Sequence, residues 1–536
     1  MKNAIILAAG KSTRFAPFTY EKPKGLFNVR NEVLVERQIC QLKEAGIKDI
    51  YIVVGYMKEK FFYLEEKYNV KLIINNNFSN KGNIYSLYSA RNFLANSFIC
   101  CADHYFLKNP FLTLNKENIS WRHCTYLPGK FREFAVSVSD ANVITDLYIG
   151  GQNQIAMVGC AYFNQNFSNQ FTQLLEKEID DFGVSNLFWE EFYARHQKEL
   201  TLYSNSLPSN YVLEFDSIED LKQFDADFLQ NVDSHIISNI CHILKCTPQS
   251  IVDITVIQAG LTNISFAFSV NQIKYVYRHP GATAGNLIDR QTEIFAQYKA
   301  KDLNIDKSVI YIDQSGWKIS YFVKNLANPN FLAKPEQLNK AMEYLRTIHK
   351  TDISDNTKCK YFDTIKEAKK LMHIASASKG DLFYEFNELI SKIEDLNKYI
   401  EIDAQYLGIK KVLCHNDTYE PNFLVTEEND LYLIDWEYAG INYPANDIGC
   451  ILSRGEYTDD QVQTYLTTYF GRELTFHERR HYIAYIALSA FYWFCWGLYK
   501  GSVGDDDGFF FLPAYRNCIK YIDKALDSYK YDEVNK

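Results

Sequence analysis

Short apolar runs alternate with amphipathic segments over residues 1–229. The predicted strands cover residues 2–10, 50–54, 72–74 and 98–102, and the predicted helices between them cover residues 34–45 and 58–67. Strands that alternate with helices favour a mostly parallel sheet, which binds ligands at the carboxyl ends of its strands. This part of the chain is therefore predicted to be an α/β domain.

A different pattern begins near residue 254. Residues 254–280 have the pattern of three strands joined by two short turns, a helix is predicted at 286–299, and residues 335–410 are mostly helical in character. We predict a second domain of α+β type, with a small lobe at about 250–325 and a large helical lobe at about 326–536. The predicted domains are residues 1–229 and 230–536.

The segment 482–499 (YIAYIALSAFYWFCWGLY) carries no charge over about the minimum length that can span a bilayer. It is rich in Tyr, Trp and Ala, and no second segment of this kind accompanies it. We predict a buried helix and no membrane insertion.

Composition narrows the class of function. The chain has 536 residues and a net charge of −9, and its basic residues are scattered, which argues against nucleic-acid binding. Its twelve cysteines form no CxxC pair, as expected of free thiols in a reducing compartment, and the apolar run at the N-terminus is too short for a signal peptide. We expect a cytoplasmic protein whose partners are small molecules.

The residues richest in chemistry lie near the C-terminus. His415-Asn416-Asp417 is followed by Asn422, and Asp435 lies in the apolar run 431–436. Phosphoryl transfer from ATP uses one carboxylate to orient or deprotonate the attacking hydroxyl, and an amide and a second carboxylate to hold Mg²⁺ on the phosphates. The spacing resembles the protein-kinase set H-R-D-x-x-x-x-N followed by D-F-G. Asp417 is predicted as the catalytic residue, with Asn422 and Asp435 as metal ligands in a two-lobed, protein-kinase-like domain.

The small lobe is predicted to hold ATP. The turn containing Gly260, Thr262 and Asn263 can fold over the phosphates, and Arg278 stands on the third strand where a protein kinase has its lysine. Glu293 on the following helix can fix the Arg278 side chain. The alternative for this pair is an ordinary surface salt bridge, worth under about 1 kcal/mol.

A loop with small residues follows the first strand. The string LAAGxxxRxxPxTxxxPKxL runs from Leu7 to Leu26 and includes Arg14 and Lys24. It resembles the nucleotidyltransferase family that activates sugar phosphates and choline phosphate with a nucleoside triphosphate. The resemblance implies a Rossmann-like fold and a site for CTP or another nucleotide.

The nucleotide-binding residues predicted on this basis are Leu7, Ala8, Ala9 and Gly10 in the loop, and Asn83 and Ser86 at a helix start whose free amides can hold the base or ribose. Arg14 and Lys24 are predicted to neutralise developing charge. The resemblance implies that Asp103, at a strand end, is a Mg²⁺ ligand, although a lone Asp there is most often a turn or cap residue. Its predicted partner is Asp216, which we place with Glu214 on one face of a strand.

The closest resemblance of this domain is to bacterial CTP:phosphocholine cytidylyltransferases, through residues 37–56, 102–106 and 214–221. That subgroup holds a trimethylammonium group with aromatic faces and acids. The corresponding residues here are Phe134 and Phe188, and Trp189 and Glu214 are predicted as further substrate-binding residues. Phe offers a weaker cation–π face than Trp, and core packing is an equal alternative for both Phe side chains.

The C-terminal set HNDxxxxNxL, IDxEY and DIG resembles choline/ethanolamine kinases within the aminoglycoside-phosphotransferase-like superfamily. Trp493 and Trp496 are three residues apart, which places them on one helix face. A quaternary ammonium has no N–H donor, so its site must use ring faces and acids. Trp493 and Trp496 are predicted to form such a cage, the alternative being ordinary core packing. Tyr438 is predicted as a further substrate-binding residue.

Together the two halves predict a bifunctional enzyme. The resemblances imply that the C-terminal domain would phosphorylate choline with ATP and that the N-terminal domain would convert phosphocholine and CTP to CDP-choline. The expected role of CDP-choline is the decoration of surface glycans in bacteria that carry such enzymes. One alternative is ethanolamine or another amino alcohol as the substrate. Others are a sugar-1-phosphate nucleotidyltransferase fused to a small-molecule kinase, and a nucleotide-sensing scaffold without activity.

Overall fold

The computed structural model describes residues 2–112, 118–208, 211–257, 263–281, 287–325, 327–353, 359–379, 384–503 and 510–534. The chain forms two compact units, Met1–Ile251 and Val252–Lys536. This division falls later than the predicted boundary after residue 229. In the first unit, Ser234 and Ile236 hydrogen-bond to the Glu21 carboxylate. The boundary between the two catalytic domains at residue 229 stays a prediction.

The strands of the first unit are β1 (Lys2–Ala8), β2 (Asn28–Val29), β3 (Glu32–Val33), β4 (Asp49–Val54), β5 (Lys71–Ile74), β6 (Asn96–Cys101), β7 (His104–Phe106), β8 (Trp121–Val138), β9 (Ile144–Phe163), β10 (Tyr203–Ser206) and β11 (Val212–Glu214). Its helices are α1 (Leu34–Glu44), α2 (Tyr63–Tyr68), α3 (Ile84–Ser89), α4 (Gln165–Glu178), α5 (Phe182–Ser185), α6 (Trp189–Arg195), α7 (Ile218–Phe224), α8 (Phe228–Asn231) and α9 (His235–Leu244).

The central sheet has seven strands in the order β10-β8-β9-β6-β1-β4-β5. The pairs β1–β4, β1–β6, β4–β5 and β8–β10 are parallel, whereas β9 runs antiparallel to β6 and β8. Alternate residues of β1 enter two cores: Ile5 and Leu7 pack with α3 on one face, and Ala4 and Ile6 pack with α1 on the other. The prediction of a mostly parallel α/β sheet is confirmed.

One local expectation was wrong. Strand β11 ends at Glu214, so Asp216 lies beyond it and does not share a strand face with Glu214. The Lys24 ammonium donates a hydrogen bond to the carbonyl oxygen of Phe215, and the backbone N–H of Asp216 donates to the Asp220 carboxylate. These local bonds end the strand, because they commit the backbone groups that a longer ladder would use.

The strands of the second unit are β12 (Val252–Ile257), β13 (Asn263–Val270), β14 (Ile273–Pro280), β15 (Val309–Ile312), β16 (Lys318–Tyr321), β17 (Val412–Cys414), β18 (Phe423–Val425), β19 (Leu431–Leu433) and β20 (Gly440–Asn442). Its helices are α10 (Arg290–Asp302), α11 (Pro335–Ile348), α12 (Thr364–Lys379), α13 (Asn387–Tyr406), α14 (Ala445–Ser453), α15 (Asp459–Phe470), α16 (Phe476–Ser502) and α17 (Phe511–Val534).

The small lobe is an antiparallel sheet in the order β12-β13-β14-β16-β15, and the large lobe is built around α16. Helix α16 is long and apolar enough to cross a membrane by length and composition, yet 94% of its most apolar window is buried inside the unit. Helices α12, α13, α14 and α17 pack around it. Its apolar character is therefore that of a core helix with neighbours on all sides.

Replacing Gly449 with Ala is expected to destabilise the second unit by about 1–3 kcal/mol. A Cβ at this position of α14 would lie 2.5 Å from the carbonyl oxygen of Tyr485 and 2.7 Å from Ser489 Oγ, and the backbone of α16 cannot move aside easily. The measurement is thermal unfolding followed by tryptophan fluorescence. Gly501→Ala is the control, because its Cβ meets no described atom within 4 Å; equal effects of the two changes would contradict the argument.

Candidate active sites

Asp447 anchors the loop after β17. Its carboxylate accepts hydrogen bonds from the backbone N–H groups of His415 (3.0 Å) and Asn416 (2.7 Å), and from the His349 ring (2.9 Å). Asn416 has a positive φ of 62°, a conformation that Asn adopts more readily than most residues. The loop thereby turns sharply and presents the next residue, Asp417, at the strand end.

Both carboxylate oxygens of Asp417 have partners. Oδ2 accepts from the Asn422 amide at 3.0 Å, and Oδ1 accepts from Arg454 Nη2 at 2.6 Å. Burial raises the pKa of Asp417 above its ordinary value, although the Arg454 charge opposes that shift. The geometry brings together the first two residues of the predicted kinase set.

Asp435 faces the same region from the end of β19. It has a positive φ of 65°, and its Oδ1 lies 3.2 Å from Arg278 Nη1. The other Arg278 nitrogen pairs with the buried Glu293 carboxylate, which also lies 2.5 Å from Arg290 Nη1. Burial alone would raise the pKa of Glu293, but Arg278 and Arg290 more than offset it and the pKa is lowered. The predicted Arg278–Glu293 pair is thus formed, and its burial distinguishes it from an ordinary surface salt bridge.

A cavity of ≈ 400 Å³ lies between the two lobes of this unit. It is lined by Lys307, Ser308, Tyr321, Phe322, Val323, Lys324, Thr426, Glu427, Glu428 and Tyr432. Residues 321–324, at and just after the end of β16, form one wall. Gly260 and Thr262, predicted to cover the phosphates, lie outside the described residues, and so does the side chain of Asn263, whose backbone begins β13.

The predicted aromatic residues converge on one side of Asp417. Trp496 Nε1 donates to the Tyr438 hydroxyl at 3.1 Å, and the Trp493 ring centre lies 5.7 Å from that of Tyr438 and 5.9 Å from that of Trp496. All three side chains are buried.

Arg454, at the C-terminal end of α14, was not predicted from sequence. Its guanidinium carbon lies 3.9 Å from the Trp493 ring centre and 4.2 Å from that of Tyr419, with Phe510 at 5.5 Å. The ring cluster beside Asp417 therefore already contains a cation.

In the first unit, the loop after β1 has the features of an anion site. Within the described part of the chain, the backbone N–H groups of residues 10–13 donate no hydrogen bond, and Ser12 has a positive φ of 48°. Leu7 and Ala8 belong to β1, and the carbonyl of Ala9 is held by Tyr56. Free N–H groups in succession at a strand end suit phosphate oxygens.

Lys24 links two segments at this edge of the sheet. Its buried ammonium lies 3.0 Å from Asp103 Oδ2 and 2.5 Å from the carbonyl oxygen of Phe215. Burial alone would raise the pKa of Asp103, but the Lys24 charge more than offsets it and the pKa is lowered. Arg14 Nη1 lies 2.8 Å from Asp216 Oδ1 on the surface, with 65% and 51% of the two side chains exposed. The two predicted cations, Lys24 and Arg14, thus pair with the two predicted metal ligands, Asp103 and Asp216, at this edge of the sheet.

The donor types in both units fit Mg²⁺. The ion prefers oxygen ligands, usually one or two carboxylates completed by phosphate oxygens. Asp103 is part-exposed beside the phosphate loop, and Asp435 and Asn422 offer a carboxylate and an amide oxygen beside Asp417. Cys101 and His104 also lie near Asp103, but thiol and imidazole groups suit other metals.

Asn83 and Ser86 have structural partners. The amide oxygen of Asn83 accepts from the backbone N–H of Trp189 at 2.8 Å, and Ser86 Oγ is bonded to Asn75 at 3.1 Å in the interior. The neighbouring Gly82 packs so tightly that a Cβ would lie 2.1 Å from the carbonyl oxygen of Leu187. These contacts fix the start of α3 against α6. The side chains of Asn83 and Ser86 therefore position this segment.

The residues predicted to bind the trimethylammonium group in the first unit separate into two sets. Phe134 and Phe188 form an edge-to-face pair at 5.9 Å, and Phe188 is 51% exposed, so a ring face is open to solvent. Trp189 is buried against Phe163 in the core. Glu214 pairs with the buried His104 at 3.4 Å.

Sequence reasoning did not single out Glu190 and Arg122, which form a buried pair next to this site. Arg122 Nη2 lies 3.5 Å from Glu190 Oε1, and Arg122 also donates to the carbonyl of Val158 at 2.9 Å. Burial raises the pKa of Glu190 to about 7, with the Arg122 charge opposing it. Arg122 lies on β8 and Glu190 on α6, so no local spacing pointed to the pair.

Relative to the wild-type protein, the Glu190→Gln variant is expected to be more stable at pH 8 than at pH 5. The folded state holds the Glu190 proton more tightly than the unfolded state does, so the wild-type protein loses stability as pH rises from about 4.5 through about 7. The variant lacks this titration, and the difference in unfolding free energy between the two proteins should change by roughly 3 kcal/mol across that window. Urea unfolding at both pH values measures it, and a pH-independent difference would contradict the assignment.

Comparison with known proteins supports the division of the chain. Residues 4–125 match the MobA-like NTP transferase domain, and residues 254–483 match choline/ethanolamine kinase. The chain is 34% identical over 228 residues to the choline-phosphate cytidylyltransferase of Streptococcus pneumoniae, covering 42% of this chain and 98% of that protein. It is 33% identical to the 2-aminoethylphosphonate cytidylyltransferase of Lancefieldella rimae, covering 42% and 93%.

The second half is related to a separate protein. It is 25% identical over 281 residues to Protein LicA of Haemophilus influenzae, covering 49% of this chain and 99% of that protein. The chain therefore belongs, through its first unit, to the choline-phosphate cytidylyltransferase family, and it joins this enzyme in one polypeptide to a choline/ethanolamine kinase domain.

Proposed function

We propose that the chain makes CDP-choline in two steps, phosphorylating choline with ATP in the second unit and transferring CMP from CTP to phosphocholine in the first. The observation that carries the proposal is the convergence of Asp417, Asn422 and a ring cluster in a kinase domain fused to a choline-phosphate cytidylyltransferase. A cytoplasmic location, where ATP and CTP are available, is part of the proposal.

In the kinase step, Asp417 accepts a hydrogen bond from the choline hydroxyl and takes its proton as the oxygen attacks the γ-phosphorus of ATP. The bond between that phosphorus and the β–γ bridging oxygen breaks, and ADP leaves. Arg278, held by Glu293, neutralises the phosphates. Bound Mg²⁺, held by Asn422 and Asp435, would supply further charge neutralisation.

In the cytidylyl step, a phosphate oxygen of phosphocholine attacks the α-phosphorus of CTP and pyrophosphate leaves. Residues 10–13 bind phosphate oxygens through their N–H groups, and Lys24 and Arg14 stabilise the charge that develops. Mg²⁺ bound at Asp103 would neutralise the departing pyrophosphate. Asp216 is the proposed second ligand, although it pairs with Arg14 in this structure.

The similarity to a 2-aminoethylphosphonate enzyme raises an alternative acceptor for the first unit. A phosphonate carries its phosphorus on carbon and needs no kinase to make it. The kinase domain in the same chain therefore favours a phosphate ester of an alcohol as the acceptor. Ethanolamine remains the competing alcohol, since the matched kinase family includes it.

The test is to incubate the full chain with ATP, CTP, choline and Mg²⁺ and to follow ADP, pyrophosphate and CDP-choline separately. We expect all three products with choline, and pyrophosphate without ADP when phosphocholine and CTP are supplied alone. Parallel reactions contain ethanolamine in place of choline, and 2-aminoethylphosphonate or glucose 1-phosphate in place of phosphocholine. Equal or greater turnover of any of these would contradict the choline assignment.

A further inference from the structure

The surroundings of Arg454 are those expected of a substrate cation. Its side chain is 2% exposed, three aromatic rings lie around its guanidinium, and Asp417 supplies a carboxylate at 2.6 Å. Within the described residues, its Nε has no hydrogen-bond partner although it is buried. A guanidinium normally directs its five N–H groups at oxygen acceptors. Here ring faces surround the guanidinium, and its Nε–H has no oxygen acceptor among the described residues.

A quaternary ammonium requires these same surroundings. It has no N–H group, so it binds to ring faces with a carboxylate nearby. Two like charges cannot share the Trp493 and Tyr419 faces at such distances without strong repulsion in a buried site. The cationic head of an amino alcohol and the Arg454 guanidinium are therefore alternatives for one position.

The state of Asp417 points the same way. One of its oxygens is bonded to Arg454 and the other to Asn422. A catalytic carboxylate has to accept a hydrogen bond from the attacking hydroxyl. Movement of Arg454 frees one oxygen next to the place where the hydroxyl must lie. The residue is the C-terminal cap of α14, so its long side chain can move without unwinding a helical turn.

We propose that the Arg454 guanidinium occupies the binding site for the substrate cation in the second unit when no substrate is bound. A cationic amino alcohol then binds by displacing this guanidinium from the ring faces and from Asp417. This inference rests on the proposed kinase function of the second unit. It makes Arg454 a determinant of affinity for the alcohol: the apparent affinity is reduced by the fraction of molecules in which the guanidinium fills the site.

Arg454→Met tests this, because it keeps much of the side-chain length and removes the charge. We expect the KM for choline to fall by about tenfold while the KM for ATP and kcat change by less than about threefold. Quenching of tryptophan fluorescence by tetramethylammonium, which has no hydroxyl and cannot react, should show a matching fall in Kd. Arg454→Lys, whose ammonium lacks the planar guanidinium, should give a smaller fall and serves if the Met variant does not fold.

Arg480→Met is the matched control. Arg480 forms a buried pair with Asp403 (2.6 Å) and stacks on Tyr529 (4.4 Å) elsewhere in this unit, so its loss removes similar contacts without touching the site. The KM for choline should not change in this variant. A KM that is unchanged or raised in Arg454→Met would overturn the inference; a rise would show that the guanidinium assists binding, as for a substrate with an anionic group. Absence of ADP formation with choline in every protein would instead overturn the proposed function, and the inference with it.

Discussion

Asp417→Asn is expected to lower kcat for choline phosphorylation by about 10²–10⁴-fold. The amide keeps the size of the side chain and one oxygen acceptor, but it cannot take the proton of the attacking hydroxyl. Only one of the two donors, Arg454 or Asn422, keeps its oxygen acceptor, because an amide NH2 group replaces the other oxygen. The loop should still keep its conformation, since Asp447 holds the backbone N–H groups of His415 and Asn416. The KM for ATP should change little, because Arg278 and Glu293 hold the phosphate side of the site independently. A coupled assay of ADP release measures both constants.

Two comparisons separate chemistry from stability. Asp403→Asn changes another buried aspartate, which is bonded to Arg480 by two hydrogen bonds of 2.8 Å and 2.6 Å, and it should lose stability without losing more than a few-fold in kcat. Cytidylyl transfer from CTP to phosphocholine should be unaffected in Asp417→Asn, since that site is built from residues of the first unit. Choline turnover retained at the wild-type rate in Asp417→Asn would exclude Asp417 as the base.

The parts of the fold that follow local rules could be predicted from the sequence. The apolar strand β1 and the helices beside it are recognisable from periodicity alone, because each side chain's face is set by its position in the element. Asp417 and Asn422 are five residues apart, so a single turn brings them together. The N-cap of α7 at Ser217, with Asp220 completing the capping box, depends on equally local rules.

Contacts between distant elements could not be predicted in this way. Arg454 is 37 residues from Asp417 and 39 from Trp493, and its sequence context is that of an ordinary helix end. The long hairpin of β8 and β9, which carries Arg122, has exposed polar stretches that hide its strand character. Asp216 shows the opposite case. The alternation of side chains along a strand predicted that Asp216 lies on the same face as Glu214, but hydrogen bonds at Phe215 and Asp216 end the strand at Glu214.

Lys24→Met is expected to lower kcat/KM for cytidylyl transfer by about 10²–10³-fold, in the range of removing one preorganised group that stabilises transition-state charge. Lys24 is buried, lies 4.1 Å above the Phe15 ring, and holds both Asp103 and the carbonyl of Phe215. The methionine fills a similar volume and leaves those two oxygens without their shared donor. Pyrophosphate release from CTP and phosphocholine measures the effect, and choline phosphorylation by the same protein should keep its wild-type rate.

Because Lys24 also joins two segments, its loss can act through stability as well as through charge. Arg14→Met resolves the two, since Arg14 is exposed and pairs only with the exposed Asp216 among the described residues. It should reduce cytidylyl transfer at least tenfold without changing the unfolding temperature. Arg91→Met breaks another ion pair of the first unit, with Glu176 (3.0 Å), away from the phosphate loop, and should leave cytidylyl transfer unchanged. Arg91 also donates to the Tyr88 carbonyl and stacks on the Tyr88 ring, so this variant can lower the unfolding temperature. If Arg14→Met and Arg91→Met have the same activity, fixed positive charge at this edge of the sheet does not stabilise the transition state, and the loss in Lys24→Met reports the missing link between Asp103 and Phe215.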